Sequence, residues 1–329
     1  MQKADGHRIV ETTVNASVRI ADCTRWEEIK DCVNYHVQMA ALAEAPTEFR
    51  LLNKSGGVAQ EFSVAVSGPA YIQQDVKNAT NIMRKARPGG VTPLTRHIKE
   101  IHKKVSSMAP QLNAEGKRVA IVIATDGLPT DEAGYGSESN KQQFVQSLRN
   151  LEGLPVWVVV RLCTDEEPVV DFYNNLDGQL ELSIEVLDDF IGEAEEIHGC
   201  NSWLNYALPL HRLREMGFHD RIFDLLDERA FTKSEVRDFC YMLFGEEHFD
   251  GVPDPVVDWA GFVEFITELL KKEKPKWNPM LKRRTPWIDI NRLNQKYGGV
   301  RRKSARAPAR APSRAGGNNS SICELCTIM

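Results

Sequence analysis

Residues 121–127 read Ile-Val-Ile-Ala-Thr-Asp-Gly, a short apolar run that ends in an acid and a glycine. An apolar run without polar alternation suits a strand buried on both faces, as in parallel sheets sandwiched by helices. Residues 155–163, Pro-Val-Trp-Val-Val-Val-Arg-Leu-Cys, form a second, β-branched run that reads as a central strand. A helical pattern at about 140–151 separates the two. Strands alternating with helices predict an α/β fold with a doubly wound, mostly parallel sheet. Such sheets collect ligands at the carboxyl ends of their strands, which makes Asp126 a candidate site residue. Upstream, residues 89–94 read Gly-Gly-Val-Thr-Pro-Leu, a glycine turn that opens a helix with the Thr92 hydroxyl at its start. Pro93 is expected in the first turn, where a missing N–H costs nothing.

The rest of the chain punctuates clearly. Thr24 and Glu27 form a capping box, and Trp26, Ile29, Val33, Val37 and Ala41 follow at helical spacing, predicting a helix over 25–44. A strand at 48–52 and a helix at 71–86 come next. Leu94, Ile98, Ile101, Val105 and Met108 mark the buried stripe of the helix after Pro93. A short helix near 166–175, a strand near 181–187 and a helix from 188 complete this part. Residues 1–21 show no clear period. From about 201 the pattern is helical without further strands: Leu204, Leu208, His211 and Glu215 share one helix, Ile222, Leu225 and Leu226 open another, Val236, Phe239, Cys240 and Leu243 share one face, and Phe262, Phe265, Ile266 and Leu269 another. The expected organisation is an α/β domain over 1–200, a helical module over 201–297 and a disordered, basic tail over 298–329 rich in Arg, Ala, Pro, Ser and Gly.

Composition narrows the class. The 329-residue chain carries a net charge of −5, but Arg301, Arg302, Lys303, Arg306, Arg310 and Arg314 are basic with no acid among them, so the remainder stands at −11. An acidic body with a basic tail suggests an electrostatic role for the tail. The amino terminus lacks the apolar core of a signal peptide. No apolar stretch approaches the roughly 20 residues that span a bilayer. The seven cysteines follow no framework spacing, which predicts reduced thiols and a cytoplasmic location.

Thr92 within Gly-Gly-x-Thr-Pro-Leu and Asp126 within Ile-x-x-Thr-Asp-Gly resemble the later two motifs of the von Willebrand factor A domain and its metal-ion-dependent adhesion site. The resemblance covers residues 24 to about 216. It implies a metal site in which Thr92 and Asp126 supply hard oxygen ligands to Mg2+ or Ca2+, and metal-bridged binding of an acid from a protein partner. The first motif of that family, Asp-x-Ser-x-Ser, belongs at the end of a strand before the helix at Thr24. Residues 1–23 offer Asp5, Ser17 and Asp22 but no apolar strand and no matching spacing. The domain is therefore expected to be N-terminally incomplete, with Met1 standing for the methionine that often follows Ser-Gly-Ser in the motif. The adhesion site is then partial, and an inner strand of the sheet is missing. On the residues alone, Thr92 also suits a plain helix N-cap and Asp126-Gly127 a plain turn.

Asp224 to Glu235 and Asp250 to Gly261 can each be framed as a calcium loop of the EF-hand type, but Leu226, Arg229 and Gly261 stand where that loop needs an oxygen, a glycine and a glutamate. The helical module is expected to be a packing unit, a degenerate EF-hand relative at most. Its aromatics, Trp203, Phe239, Phe244, Trp259 and Phe265, are expected in its core rather than in a ligand cage. The chain ends Cys326-Thr327-Ile328-Met329, which resembles a CaaX prenylation box with a terminal residue that favours farnesyl. Cys323 is a candidate for palmitoylation and Ser304, after Arg301-Arg302-Lys303, for phosphorylation. One lipid chain plus a basic stretch is the two-signal arrangement that peripheral membrane anchoring needs. Cys323 and Cys326 also have the spacing of half a zinc site or a redox pair, with no second half nearby. The basic stretch lacks the interleaved aromatics of a nucleic-acid binder, so no nucleic acid is expected.

These features predict a non-enzymatic protein-interaction module, tethered to an anionic membrane surface on its cytoplasmic face. A cytosolic, metal-independent scaffold acting through the helical module is the alternative. A metal-dependent hydrolase is disfavoured: Leu128 stands where a dehalogenase-like phosphatase needs its second aspartate, and no nucleophile elbow, His-Glu-x-x-His or phosphate loop is found.

Overall fold

The computed structural model describes residues 1–12, 17–218 and 220–299. The expectations placed on Arg301, Arg302, Lys303, Ser304, Arg306, Arg310, Arg314, Cys323 and Cys326 lie outside the described residues, as does the tail beyond Gly299.

The order of elements is β1 (Gly6–Thr12), β2 (Ser17–Cys23), α1 (Arg25–Leu42), β3 (Thr47–Arg50), β4 (Glu61–Val64), α2 (Ile72–Lys85), α3 (Leu94–Ala114), β5 (Val119–Thr125), α4 (Glu138–Arg149), β6 (Val156–Leu162), α5 (Glu167–Asn174), β7 (Ile184–Leu187) and α6 (Phe190–Cys200). It continues with α7 (Leu208–Glu215), α8 (Arg221–Glu228), α9 (Lys233–Phe244), α10 (Trp259–Lys272), β8 (Lys276–Asn278), β9 (Arg283–Thr285) and α11 (Ile290–Tyr297). This is a mixed α/β architecture. Short polar side chains start the helices by taking up free N–H groups of the first turn. Thr24 and Glu27 close the predicted capping box of α1, and Thr232 and Glu235 do the same for α9. Asp189, Asp220, Asp258 and Asp289 cap α6, α8, α10 and α11.

β5, β6 and β7 form a three-stranded parallel sheet with β6 in the middle. Ile121 pairs with Val158 and Val158 with Ile184, and Ile123 pairs with Val160 and Val160 with Val186. β6 is buried along almost its whole length, as its apolar run predicts. β5 departs from the expectation of burial on both faces. Ile121 and Ile123 enter a core with Leu94 and Ile98 of α3 and Phe144 and Leu148 of α4, whereas Val122 is 39% exposed. The reason is topological. Among the described residues β5 is hydrogen-bonded to β6 alone, while β3 and β4 pair only with each other.

A second core lies between α1, α2 and the β3–β4 hairpin, built on Val37, Phe62, Val64, Ile82 and Met83. A third gathers α6 to α11, including Phe190, Ala194 and Ile197 of α6 with Trp203, Phe239 and Phe262. Trp203 and Phe239 are fully buried there, and Phe244, Trp259 and Phe265 pack against them, as expected of core aromatics.

Several sequence expectations need correction. Residues 6–12 and 17–23, where no strand was expected, pair as the antiparallel strands β1 and β2, with Ile9 opposite Ile20 and both packed on the third core. The pair does not join the parallel sheet. Pro93 stands one residue before α3, in the cap position, rather than inside its first turn. Met108 is exposed and Ala109 takes its place in the buried stripe. Leu204 lies outside α7 in an isolated bridge to Ile288. The small β8–β9 hairpin interrupts the helical module, and it carries Trp277 into the core.

Candidate functional site

The carboxyl end of β5 is where the two predicted site residues meet. Thr125, the last residue of β5, is fully buried, and its hydroxyl accepts from the Gly127 amide at 3.3 Å and donates to the Gly127 carbonyl at 3.2 Å. The Tyr173 hydroxyl of α5 donates to the same carbonyl at 3.0 Å. These bonds fold the chain back and leave Asp126 at the turn. The glycine loop before α3 is held against it. The Thr130 amide donates to the Thr92 carbonyl at 2.9 Å, and the Thr92 amide donates to the Thr130 hydroxyl at 3.0 Å. A β-carbon placed on Gly127 would lie 3.7 Å from the Thr92 hydroxyl oxygen, so Thr92 Oγ1 faces the Asp126 turn. Gly90 makes the loop possible. Its φ is +94°, and a β-carbon would come within 2.4 Å of the Asn53 amide carbon, while Asn53 itself donates to the Val91 carbonyl at 2.7 Å.

The charges around Asp126 decide what this edge can hold. The Met1 ammonium group contacts its carboxylate, and Arg25 Nη1 lies 3.6 Å from Oδ2. Arg25 is buried at the start of α1 and also forms a bidentate pair with Asp5, at 2.7 and 2.6 Å, and reaches Glu166 at 3.4 Å. Mg2+ needs about six oxygen ligands and Ca2+ six to eight. Here Asp126 and Thr92 are the two oxygen donors the motifs supply, Asp5 and Glu166 are engaged by Arg25 and Lys3, and Arg25 also lies against Asp126. With two such donors, water would have to fill the rest of the coordination shell of Mg2+ or Ca2+ at this edge.

A second polar cluster was missed as a site in the sequence, although each of its residues lies on a predicted element. Arg161 points from β6 into the interior and is 2% exposed. It pairs with Glu28 of α1, and its Nε donates to Glu215 Oε1 of α7 at 3.1 Å. Arg212 Nη1 donates to Glu215 Oε2 at 2.5 Å. The Cys32 thiol lies 3.4 Å from the same oxygen and 3.8 Å from His36 Nε2. His36 Nε2 is 3.9 Å from Glu215 Oε2, and His211 Nε2 is 3.3 Å from Oε1. Burial alone would raise the Glu215 carboxyl, but His211, Arg212 and Arg161 together hold it well below the usual range. The cluster ties β6 to α1 and α7 in one buried network. The signal available in the sequence was the i,i+4 spacing of Cys32 with His36 and of His211 with Glu215.

The two calcium-loop frames do not form such loops. Asp224 lies inside α8 and Glu235 in the first turn of α9, where it caps the helix and pairs with Arg229. Asp258, within the second frame, accepts from the Gly261 amide at 2.9 Å and caps α10. Leu128 is partly buried against the core of the parallel sheet. Among the described residues no helix is long and apolar enough to cross a membrane. No family model and no curated protein matches the chain.

Proposed function

We propose that this chain is a non-enzymatic protein-interaction module with a von Willebrand factor A-like, doubly wound α/β domain, tethered to the cytoplasmic face of a membrane by prenylation of Cys326. The observation that carries the proposal is the convergence of the Thr92 loop and the Asp126 turn at the carboxyl end of β5, joined by the paired bonds between Thr92 and Thr130. That edge is where open α/β sheets receive their ligands. The Arg25 charge beside Asp126 favours a contact that needs no metal. The scaffold reading draws support from the helical module, where Val256 and Val257 are 62% and 86% exposed just before α10. An apolar Leu128 in the place of a second carboxylate speaks against hydrolysis.

The tether rests on the sequence of the tail. A farnesyl group alone gives marginal membrane residence, and the six basic residues from Arg301 to Arg314 add the second signal. Two measurements test the proposal. In cells, the full chain should fractionate with membranes and Cys326→Ser should move it to the soluble fraction; an unchanged membrane share refutes the tether. In melts, millimolar Mg2+ should leave Tm unchanged, because a specifically bound ion must raise it. A Mg2+-dependent rise that disappears in Asp126→Ala would restore the metal-bridged form of the interaction.

A further inference from the structure

Cys32 and His36 lie one turn apart on α1, and Glu215 ends α7, which packs on α1. Their donor atoms, Sγ, Nε2 and Oε2, stand 3.8, 3.9 and 3.4 Å from one another. A tetrahedral zinc ion with bonds of roughly 2.0–2.3 Å sets its ligand atoms roughly 3.3–3.6 Å apart. The three donors thus already form a triangle close to one face of such a tetrahedron. A thiolate, an imidazole and a carboxylate are the donor set of zinc-class ions, and they contrast with the all-oxygen set that Mg2+ or Ca2+ requires. We infer that Cys32, His36 and Glu215 form a binding site for a zinc-class divalent cation that clamps α1 to α7.

The surroundings fit this role. His36 turns its Nε2 toward both Cys32 Sγ and Glu215 Oε2. Its side chain keeps 12% exposure, which gives an ion a way in. Arg212 on Oε2 and Arg161 on Oε1 fix the orientation of the Glu215 carboxylate, as hydrogen-bonding partners of metal-bound carboxylates do. Their positive charge also limits the affinity. His211 Nε2, buried without a well-aligned hydrogen bond, sits on the other carboxylate oxygen at 3.3 Å. Binding forms bonds from the metal to sulfur, nitrogen and oxygen and breaks the Cys32 S–H bond. The proton leaves to solvent, and no electron is transferred. Because binding releases the Cys32 proton, occupancy should rise with pH.

Co2+ is the probe, because a thiolate ligand gives it a near-ultraviolet charge-transfer band. The titration uses the full chain carrying Cys323→Ser and Cys326→Ser, which removes the tail thiols. The expected result is a band that saturates at about one equivalent, is displaced by Zn2+ and is untouched by Mg2+. Cys32→Ser should abolish the band, and His36→Ala should weaken binding by at least about tenfold, the smallest loss typical of even an outer partner. Cys163→Ser, which removes a different buried thiol, should leave it unchanged. Absence of a saturable band in the parent chain overturns the inference without any further variant. A band that survives Cys32→Ser with the far-ultraviolet circular dichroism intact overturns it as well.

Discussion

Replacing Arg161 with Met tests whether the buried network holds the α/β part together. Arg161 sits in the middle strand, 2% exposed, and serves Glu28, Glu215 and the Leu162 carbonyl, the last at 2.9 Å. Met fills similar volume but leaves the two carboxylates unequally served. Glu215 keeps Arg212 and His211. Among the described residues, Glu28 keeps the His7 amide, at 3.2 Å. Breaking a buried pair and stranding one charge costs about 3–5 kcal/mol. At about 2 °C per kcal/mol for a protein of this size, Tm should fall by about 6–10 °C. Urea unfolding followed by circular dichroism gives the free energy directly. Adding Glu28→Gln removes the stranded charge, so the double variant should recover part of the loss, with a coupling above about 1 kcal/mol. A loss below about 1 kcal/mol in Arg161→Met, or strictly additive single variants, would falsify the reasoning.

Two further outcomes are expected. Burial raises the Glu193 carboxyl to about 7 from an ordinary 4.5, even beside Arg214. The folded state then holds a proton that the unfolded chain lacks between those values, so the stability tied to the neutral acid is full below 4.5 and lost as pH rises through 7. Glu193→Gln should flatten the fall in Tm between pH 5 and 8, and parallel curves for parent and variant would count against it. Gly217 follows α7 with φ +82°, and a β-carbon there would meet Ala120 Cβ at 2.6 Å and Trp157 Nε1 at 2.7 Å. Gly217→Ala should cost about 2–4 kcal/mol in urea unfolding from strain and overpacking together; a neutral result would mean that the end of α7 does not press on β5 and β6.

Much of the local structure was legible from residue order. The capping box at Thr24, the apolar stripe from Ile29 to Val37 and the β-branched run in β6 each encode their element within a few residues, because backbone capping and side-chain periodicity are short-range effects. The β1–β2 pair was not legible. Its residues alternate weakly, and Ile9 and Ile20 become apolar partners only once a helical core lies beneath them. The exposure of Val122 has the same character, since an apolar run does not reveal whether its strand is central or at an edge.

The candidate sites divide along the same line. The sequence by itself, through the family resemblance, led to the expectation that Thr92 and Asp126 share a site, and the i,i+4 spacing places Cys32 with His36, and His211 with Glu215, on common helix faces. Only the tertiary structure decided which charges meet there. It set Arg25 against Asp126 and brought Arg161, Arg212, Cys32 and His36 around Glu215. The physical reason is range. Helix and strand periods act over one or two turns, whereas desolvation and ion pairing depend on groups such as Arg161 and Glu215, which stand far apart in sequence and meet only when β6 and α7 pack.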